Sequence, residues 1–288
     1  MAESRQRWAK PTPTERKKPK GKRKEHEFHE LNEYMDIDNI YNMDCLEWMR
    51  GMEDNSVDAI VTSPPYNFCL RVRGEDYTKR SKNEEFGHTG QAFNKYTNGL
   101  TDDLDMEDYY EWQCLCIDEM LRLARGIVFY NVQMITGNKW AVLKILGKYA
   151  DRIREVLIWD KITSEPAMHA GCLNSEYELI IAFDKADCKG RQFRTANFER
   201  GTMANVIRIG KNRENDHRAA FPLLLPQTLI HYFTNEGDLI ADPFMGSATT
   251  AIAAIKEKRH FIGTELNKEY FDKAVRRIKA EQAQLTLF

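Results

Sequence analysis

The segment Gly237-Asp238-Leu239-Ile240-Ala241-Asp242-Pro243-Phe244-Met245-Gly246-Ser247-Ala248-Thr249-Thr250 carries the strongest structural signal in this chain. Its apolar start, its glycine-containing middle and its alanine-rich continuation predict a strand that ends at Asp242, a turn and a helix. Backbone N–H groups of such a turn, with the N-terminus of the helix, can face an anionic or polar ligand. Glu265 ends the next predicted strand, 23 residues after Asp242, where an acid is placed to bind a ribose diol.

Short apolar runs alternate with longer amphipathic ones on the N-terminal side of this segment and beyond it. They predict seven strands, at 38–43, 57–61, 126–131, 153–160, 177–183, 238–242 and 260–265, and helices at 105–124, 138–149, 222–235, 247–258 and 267–282. Asn267 is the expected N-cap of the last helix. Because strands that alternate with helices form layered parallel sheets, we expect an α/β fold. The stretch 153–183 holds two strands without a helix, which predicts an antiparallel hairpin at one sheet edge.

The hexapeptide Thr62-Ser63-Pro64-Pro65-Tyr66-Asn67 follows the predicted strand at 57–61. Open α/β sheets bind ligands beyond the carboxyl ends of their strands. The two prolines fix φ and remove two backbone donors, so carbonyl groups remain as acceptors in a rigid loop. An aromatic ring beside such acceptors can stack on a planar base whose amino hydrogens are bound. The alternative for the hexapeptide alone is a turn that proline merely stiffens.

Composition excludes several classes of protein. An apolar fraction of 42% supports a real core, and the chain has neither a run near the roughly 18 apolar residues of a membrane span nor a secretory signal. The six cysteines contain no Cys-x-x-Cys pair and no His-rich partner segment. We therefore expect no disulfide framework and no metal site, and a reducing, intracellular setting.

Residues 1–30 are expected to form a basic flexible arm. Residues 1–24 hold ten Lys or Arg against two acids, a balance of +8, which leaves 32 basic and 42 acidic residues, or −10, for 25–288. A basic arm on an acidic body favours a polyanion partner. A solubilising tail, or a nuclear-import signal at 17–24, would give the same composition.

Two long segments, 68–103 and 185–216, fit no regular element and interleave basic with aromatic residues. The first contains Arg71, Arg73, Lys79, Arg80, Lys82 and Lys95 with Tyr77, Phe86, Phe93 and Tyr96; the second contains Lys189, Arg191, Arg194, Arg200, Arg208, Lys211 and Arg213 with Phe193 and Phe198. Such mixtures suit phosphate contact and base stacking. Ordinary surface loops also carry them.

The two motifs together resemble the DNA amino-methyltransferases, in the permuted group whose catalytic motif precedes its cofactor motif. The family's [Asp/Asn/Ser]-Pro-Pro-[Tyr/Phe/Trp] stands here as Ser63-Pro64-Pro65-Tyr66, and its Asp-Pro-Phe-x-Gly-Ser-Gly-Thr-Thr stands as 242–250. The stretches 41–46 and 55–58 are similar to the family's entry, 174–182 to a late strand, and 217–222 to a segment that closes over the cofactor's methionine end. The resemblance covers about residues 38–280.

The resemblance implies a Rossmann-like S-adenosylmethionine-dependent methyltransferase fold for 31–288, with a seven-stranded, mostly parallel sheet and DNA-contacting loops at 68–103 and 185–216. The catalytic residues would be Ser63, Pro64, Pro65 and Tyr66; the cofactor-binding residues would be Asp44, Cys45, Phe221, Asp242, Pro243, Phe244, Gly246, Ser247, Ala248, Thr249, Glu265 and Leu266. Ser63 and the Pro64 carbonyl would accept the hydrogens of an exocyclic amine while Tyr66 stacks on the extruded base. Asp44 and Cys45 would lie near the adenine of S-adenosylmethionine, Asp242 near its methionine end and Glu265 at its ribose.

The resemblance implies double-stranded DNA as the partner and no association with a membrane. The enzyme would be a monomer or a homodimer, and the existence of a cognate restriction endonuclease is left open. Serine at position 63 resembles the motif of family members that act on cytosine N4, whereas aspartate is commoner at this position in those that act on adenine N6. Cytosine N4 is therefore the favoured target. The rival interpretations are an RNA or protein-amide methyltransferase, and a nucleic-acid-binding module with an inactive site.

The chain departs from the family pattern at Ala248, where the pattern has a second glycine. Glycine permits a positive φ and close backbone approach, so a methyl group there would weaken cofactor binding. Alternatively, position 248 belongs to the first helical turn, where alanine is favourable. We favour the second interpretation, because Thr249 and Thr250 continue the pattern.

Overall fold

The computed structural model describes residues 35–68, 70–73, 76–79, 104–165, 170–186, 188–210 and 221–285. The strands in these ranges are β1 (Asn39–Tyr41), β2 (Ala59–Thr62), β3 (Leu70–Arg73), β4 (Asp76–Lys79), β5 (Ile127–Val132), β6 (Ile153–Glu165), β7 (Ser175–Asp184), β8 (Val206–Arg208), β9 (Leu239–Asp242) and β10 (His260–Thr264). The helices are α1 (Cys45–Arg50), α2 (Met106–Leu123), α3 (Lys139–Lys148), α4 (Leu224–Phe233), α5 (Thr249–Lys256) and α6 (Lys268–Leu285). The basic arm at 1–30 lies outside the described residues.

Eight strands form one sheet in the order β1-β10-β9-β2-β5-β7-β6-β8. Neighbours run parallel except at β5–β7 and β6–β7, so β7 alone has the opposite direction. The mostly parallel α/β sheet is confirmed. The number of strands is not seven, because β8 adds a three-residue strand beside β6. Three residues are too few to reveal an alternation in the sequence.

The antiparallel hairpin of β6 and β7 is present, but it is not at the sheet edge, since β8 covers β6. The short helix α1 was also not predicted, for the same reason of length. The last helix begins as expected: the Asn267 side chain accepts hydrogen bonds from the backbone N–H groups of Glu269 (2.9 Å) and Tyr270 (3.2 Å).

Helices cover both faces of the sheet, which explains why its strands are apolar almost throughout. One core contains Val61 and Phe129 with residues of α4, α5 and α6. The other contains Ile60 and Tyr130 with residues of α1, α2 and α3. Successive strand residues thus point into opposite cores, as the pleat requires. Among the described residues, no helix is both long enough and apolar enough to cross a membrane.

The topology gathers the predicted motifs at one edge of the sheet. Strand β9 lies between β10 and β2, and all three run parallel. Their carboxyl ends therefore meet, which brings the turn at 243–248, the hexapeptide at 62–67 and Glu265 together although they are far apart in the chain. A polar ligand at this edge would lie where open α/β sheets bind their ligands.

Candidate active site

Asp242 joins the two motifs. Its Oδ1 accepts a hydrogen bond from the Thr62 hydroxyl (2.6 Å) and from the Phe244 backbone N–H (2.9 Å), and its Oδ2 accepts one from the Thr250 hydroxyl (2.7 Å). Burial raises the pKa of Asp242 to about 6, against the hydrogen bonds, which lower it. The carboxylate thus ties β2 to the glycine turn and to α5. A direct contact of Asp242 with a ligand stays a prediction.

Glu265 fastens the glycine turn from the neighbouring strand. Its Oε2 accepts the Gly246 N–H (2.9 Å), and its Oε1 accepts the Asn267 N–H (2.7 Å). Burial raises the pKa of Glu265. The hydrogen bond to Gly246 places Glu265, which is 8% exposed, beside the turn, where the sequence predicts the ribose-binding acid. Gly263 on β10 permits this approach, because a Cβ there would collide with the Asp242 carbonyl and the Met245 side chain.

Ala248 corrects one of the sequence-based interpretations. It is the N-cap of α5 in the left-handed region, with φ 64° and ψ 31°, so it does not belong to the first helical turn. Its side chain is fully buried. A left-handed conformation is unfavourable for a residue with a Cβ, which is why glycine is the usual choice at such a position.

The hydroxyl of Tyr66 is the centre of a buried polar network. It lies 2.8 Å from Ser63 Oγ, donates to Glu178 Oε2 at 2.9 Å and accepts from Asn131 Nδ2 at 2.9 Å. Burial, and then the charge of Glu178, raise the pKa of Tyr66 well above its ordinary value. A phenol donates one proton, and Glu178 can only accept. The Ser63 hydroxyl must then point its proton at Tyr66, which leaves the Ser63 lone pairs free as acceptors.

Tyr66 is only 8% exposed, and its ring centroid lies 5.6 Å from that of Phe68. The hydrogen bonds of its hydroxyl and the contact with Phe68 therefore anchor the Tyr66 side chain, a role that the sequence did not indicate. Stacking of Tyr66 on a base stays a prediction.

Hydrogen bonds from the helical layer hold the proline loop. The Pro65 carbonyl accepts from the Tyr109 hydroxyl (2.7 Å) and, more weakly, from Gln113 Nε2 (3.4 Å). Asn67, in the left-handed region at φ 61°, donates to the carbonyls of Leu104 (2.9 Å) and Gly137 (3.0 Å). No described residue donates a backbone or side-chain hydrogen bond to the Pro64 carbonyl, which leaves it available as an acceptor.

A buried ion pair supports this network from the sheet. Lys161 Nζ lies 2.7 Å from Glu178 Oε1, and the two residues are 1% and 8% exposed. Glu178 thus has a cation on one oxygen and Tyr66 and Asn131 on the other. Sequence reasoning missed Asn131, Lys161 and Glu178, since they come from three different strands and no spacing connects them.

The remaining predicted cofactor residues fall into two groups. Asp44 caps α1 through the N–H groups of Leu46 (2.9 Å) and Glu47 (3.1 Å), and Cys45 is buried beside it. Asn42 donates to the carbonyls of Glu265 (2.7 Å) and Leu266 (3.0 Å). The 42–45 segment therefore lies against the end of β10.

Phe221 forms the second group, and it lies on the other side of β9, nearer the hexapeptide at 62–67. It lines a small cavity with Thr62, Asn131 and residues of α4. Residues 217–220 of the 217–222 segment lie outside the described residues.

The two basic segments have different positions. The expectation that 68–103 has no regular element is wrong for its described residues, which form the antiparallel pair β3–β4 shortly after the hexapeptide at 62–67. Residues 69, 74–75 and 80–103 lie outside the described residues. In 185–216, residues 185–186 and 188–198 lie at the opposite end of the sheet, because they follow the far end of β7, where Asp184 pairs with Ile127 at the start of β5. Phe193 and Phe198 pack against Phe233 at 4.8 and 5.4 Å between ring centroids.

Contact of the loop at 185–216 with DNA stays a prediction, although residues 188–198 lie at the end of the sheet opposite the hexapeptide at 62–67. Arg191 and Arg194 are paired there with Glu155 and Asp184. Strand β8, later in the segment, runs parallel to β6, so its carboxyl end lies at the same edge of the sheet as the hexapeptide, and residues 211–216 lie outside the described residues.

A family model for N6 and N4 methyltransferases, described as DNA methylase, matches residues 57–276. The type II methyltransferase M.HpaI of Haemophilus parainfluenzae is 25% identical over 253 residues, which cover 82% of this chain and 73% of that protein. A 58-residue stretch is 55% identical to the type II methyltransferase M.BglI of Bacillus subtilis, and it covers 20% of this chain and 17% of that protein.

Solved structures with the same fold include the PvuII DNA methyltransferase (cytosine-N4-specific), at a TM-score of 0.62 and 17% identity, over 86% of this chain and 92% of that one. A DNA modification methylase of Thermus thermophilus, complexed with S-adenosyl-L-methionine, has a TM-score of 0.57 and 20% identity, over 85% and 94% of the two chains.

Proposed function

The chain belongs to the family of N6 and N4 DNA methylases, and from that premise we propose that it methylates the exocyclic amino group of an extruded base in double-stranded DNA, with 63–66 as its catalytic loop. The observation that carries the proposal is the Asp242 carboxylate, which hydrogen-bonds to Thr62 beside the catalytic loop and to Thr250 beyond the glycine turn. A binding turn and an acceptor loop that share one carboxylate can hold a methyl donor and an amine side by side.

The donor set of the turn fits S-adenosylmethionine, the cofactor of this family. Glu265 already fixes the turn through Gly246, and each of its oxygens retains a lone pair for a ribose hydroxyl. Asp44 and the exposed side chain of Leu266 lie at the same edge, where an adenine would bind. The cofactor supplies a methyl group on a sulfonium, which is already activated for transfer.

Catalysis by this chain would consist of holding the amine with its lone pair directed at the methyl group. An exocyclic amine is a poor nucleophile because its lone pair is delocalised into the ring. Ser63 Oγ and the Pro64 carbonyl would accept its two hydrogens. The buried hydrogen bonds from Ser63 to Tyr66 and from Tyr66 to Glu178 keep Ser63 in the accepting orientation. Fixed acceptors of this kind act without reorganisation during the reaction.

Cytosine N4 is the favoured target. Ser63 supplies a neutral acceptor where adenine enzymes commonly have aspartate, and the PvuII enzyme, whose fold is similar, is named as cytosine-N4-specific. Adenine N6 is the alternative. An RNA or protein-amide methyltransferase and an inactive binding module are less well supported, because the catalytic loop is intact and precedes the cofactor turn.

DNA would be contacted by β3–β4 with the rest of 68–103, by the later part of 185–216 and by the basic arm. A cognate restriction endonuclease would be consistent with the type II relatives, and the enzyme would act as a monomer or a homodimer. The test is incubation with S-adenosylmethionine and duplex DNA of mixed sequence, followed by mass spectrometry of the nucleosides. N4-methylcytosine is expected, N6-methyladenine would select the alternative, and neither product would overturn the proposal.

A further inference from the structure

Arg277 on α6 contacts the cofactor turn at the position where this chain departs from the family pattern. Its Nη1 donates to the Ser247 carbonyl (2.9 Å) and lies 3.2 Å from the Thr249 hydroxyl. These two residues flank Ala248, whose left-handed backbone is unfavourable for alanine. Ser247 Oγ, at 3.4 Å, adds a weaker contact from the same side chain.

The helix that carries Arg277 is fixed to the body of the protein. Ala274 and Ile278, on either side of it, are buried in the core shared with α5. Two side chains thus anchor the turn, since Glu265 also accepts the Gly246 N–H. The Ala248 N–H donates to the Met245 carbonyl at 2.8 Å, which closes the turn itself.

We propose that Arg277 is a positioning residue that holds the cofactor turn in its binding conformation and thereby compensates for alanine at position 248. Without this clamp, Ala248 would relax toward the right-handed region, and the N–H groups of the turn would no longer be directed at the ligand. With glycine at 248, both regions are about equally accessible, so the clamp would matter less. The proposal rests on the proposed function, because the turn is taken to bind S-adenosylmethionine.

The test is a double-mutant cycle of wild type, Arg277→Ala, Ala248→Gly and the double variant, with Arg276→Ala as the matched control. Arg276 is exposed and adjacent, and its loss changes the net charge equally. Titration calorimetry should give an about tenfold weaker Kd for S-adenosylmethionine in Arg277→Ala, the size of the left-handed penalty of alanine. Arg276→Ala should bind as wild type does.

In the Ala248→Gly background, loss of Arg277 should weaken binding by less than about threefold. KM for the cofactor should rise with Kd, while kcat at saturating cofactor should stay within about twofold. Equal losses in both backgrounds, an unchanged Kd in Arg277→Ala, or a fall in kcat alone would each overturn the proposal. If Arg277→Ala does not fold, Arg277→Gln replaces it in the same cycle.

Hydrogen exchange of the amides at 246–249 gives a readout that needs no cofactor. These amides should exchange faster in Arg277→Ala than in wild type, and the increase should be smaller when position 248 is glycine. If the wild-type protein bound no S-adenosylmethionine, the proposed function would fail, while the exchange cycle would still decide whether Arg277 acts on the turn.

Discussion

Replacing Tyr66 with phenylalanine removes one oxygen atom and leaves the ring in the core. That oxygen has three partners: Ser63 Oγ at 2.8 Å, Glu178 Oε2 at 2.9 Å and Asn131 Nδ2 at 2.9 Å. After the change, the Ser63 proton has lost its acceptor and can rotate toward the substrate. Glu178 retains Lys161 and Asn131, so the carboxylate is not left without partners.

The size of the effect follows from the hydrogen bonds. A hydrogen bond to a charged group contributes about 1.5–3 kcal/mol, so the free energy of unfolding should fall by about that amount. Loss of the fixed orientation of Ser63 removes a preorganised acceptor. Since the loss of one such group commonly costs about 100- to 1000-fold and Ser63 itself remains, kcat should fall about 10- to 100-fold. The Kd of S-adenosylmethionine should stay unchanged, because the glycine turn is not touched.

The assay is single-turnover methyl transfer to duplex DNA, with urea unfolding of the same preparations. Tyr149→Phe is the matched control, because the Tyr149 hydroxyl also donates to a carboxylate, Asp118 at 2.7 Å, but on the α2–α3 layer. It should lose less stability, because Asp118 is far more exposed to solvent than Glu178, and it should keep its rate. A rate within about twofold of wild type in Tyr66→Phe, or an equal loss of rate in Tyr149→Phe, would refute the role given to the Tyr66 hydroxyl.

Three further outcomes are expected. Glu265→Ala removes the acceptor of the Gly246 N–H and should weaken S-adenosylmethionine binding about tenfold or more by calorimetry; an unchanged Kd would remove Glu265 from the cofactor site. Burial raises the pKa of Asp242 to about 6 from 3.8, so its contribution to stability is complete below about pH 4 and is lost as pH rises through about 6. Asp242→Asn should therefore flatten the fall of the unfolding free energy between these pH values, and urea titrations with the wild-type slope would contradict the raised pKa. Deletion of 1–24 should lower DNA affinity and flatten its salt dependence, and an unchanged slope would leave the arm as a solubilising tail.

Hydrophobic patterning predicted most of the fold. All seven predicted strands are present. Strands β3, β4 and β8 and helix α1 were missed, since they are short segments that include charged side chains and give no continuous apolar run. The position of 185–198 was missed for another reason. Its basic residues suggested a nucleic-acid surface, but the direction of β7 carries this segment to the far end of the sheet.

The candidate site was predicted where neighbouring residues in the sequence act together. The loop at 63–66 and the turn at 242–250 lie side by side at the carboxyl edge, as the motifs indicated. The backbone at Ala248 was not predicted, because the side chain alone suggested a helix and the left-handed conformation depends on the closed turn. Glu178 and Arg277 reach the site through strand register and helix packing, which no spacing in the sequence encodes.

Transfer of a labelled methyl group from S-adenosylmethionine to duplex DNA tests the central claim most directly. After digestion to nucleosides, the label should migrate with a nucleoside methylated on its exocyclic amino group, and Ser63→Ala should transfer far less label than wild type. Label on a ring carbon of cytosine, label on protein alone, or full transfer by Ser63→Ala would contradict the claim that the 63–66 loop activates an amine beside the glycine turn.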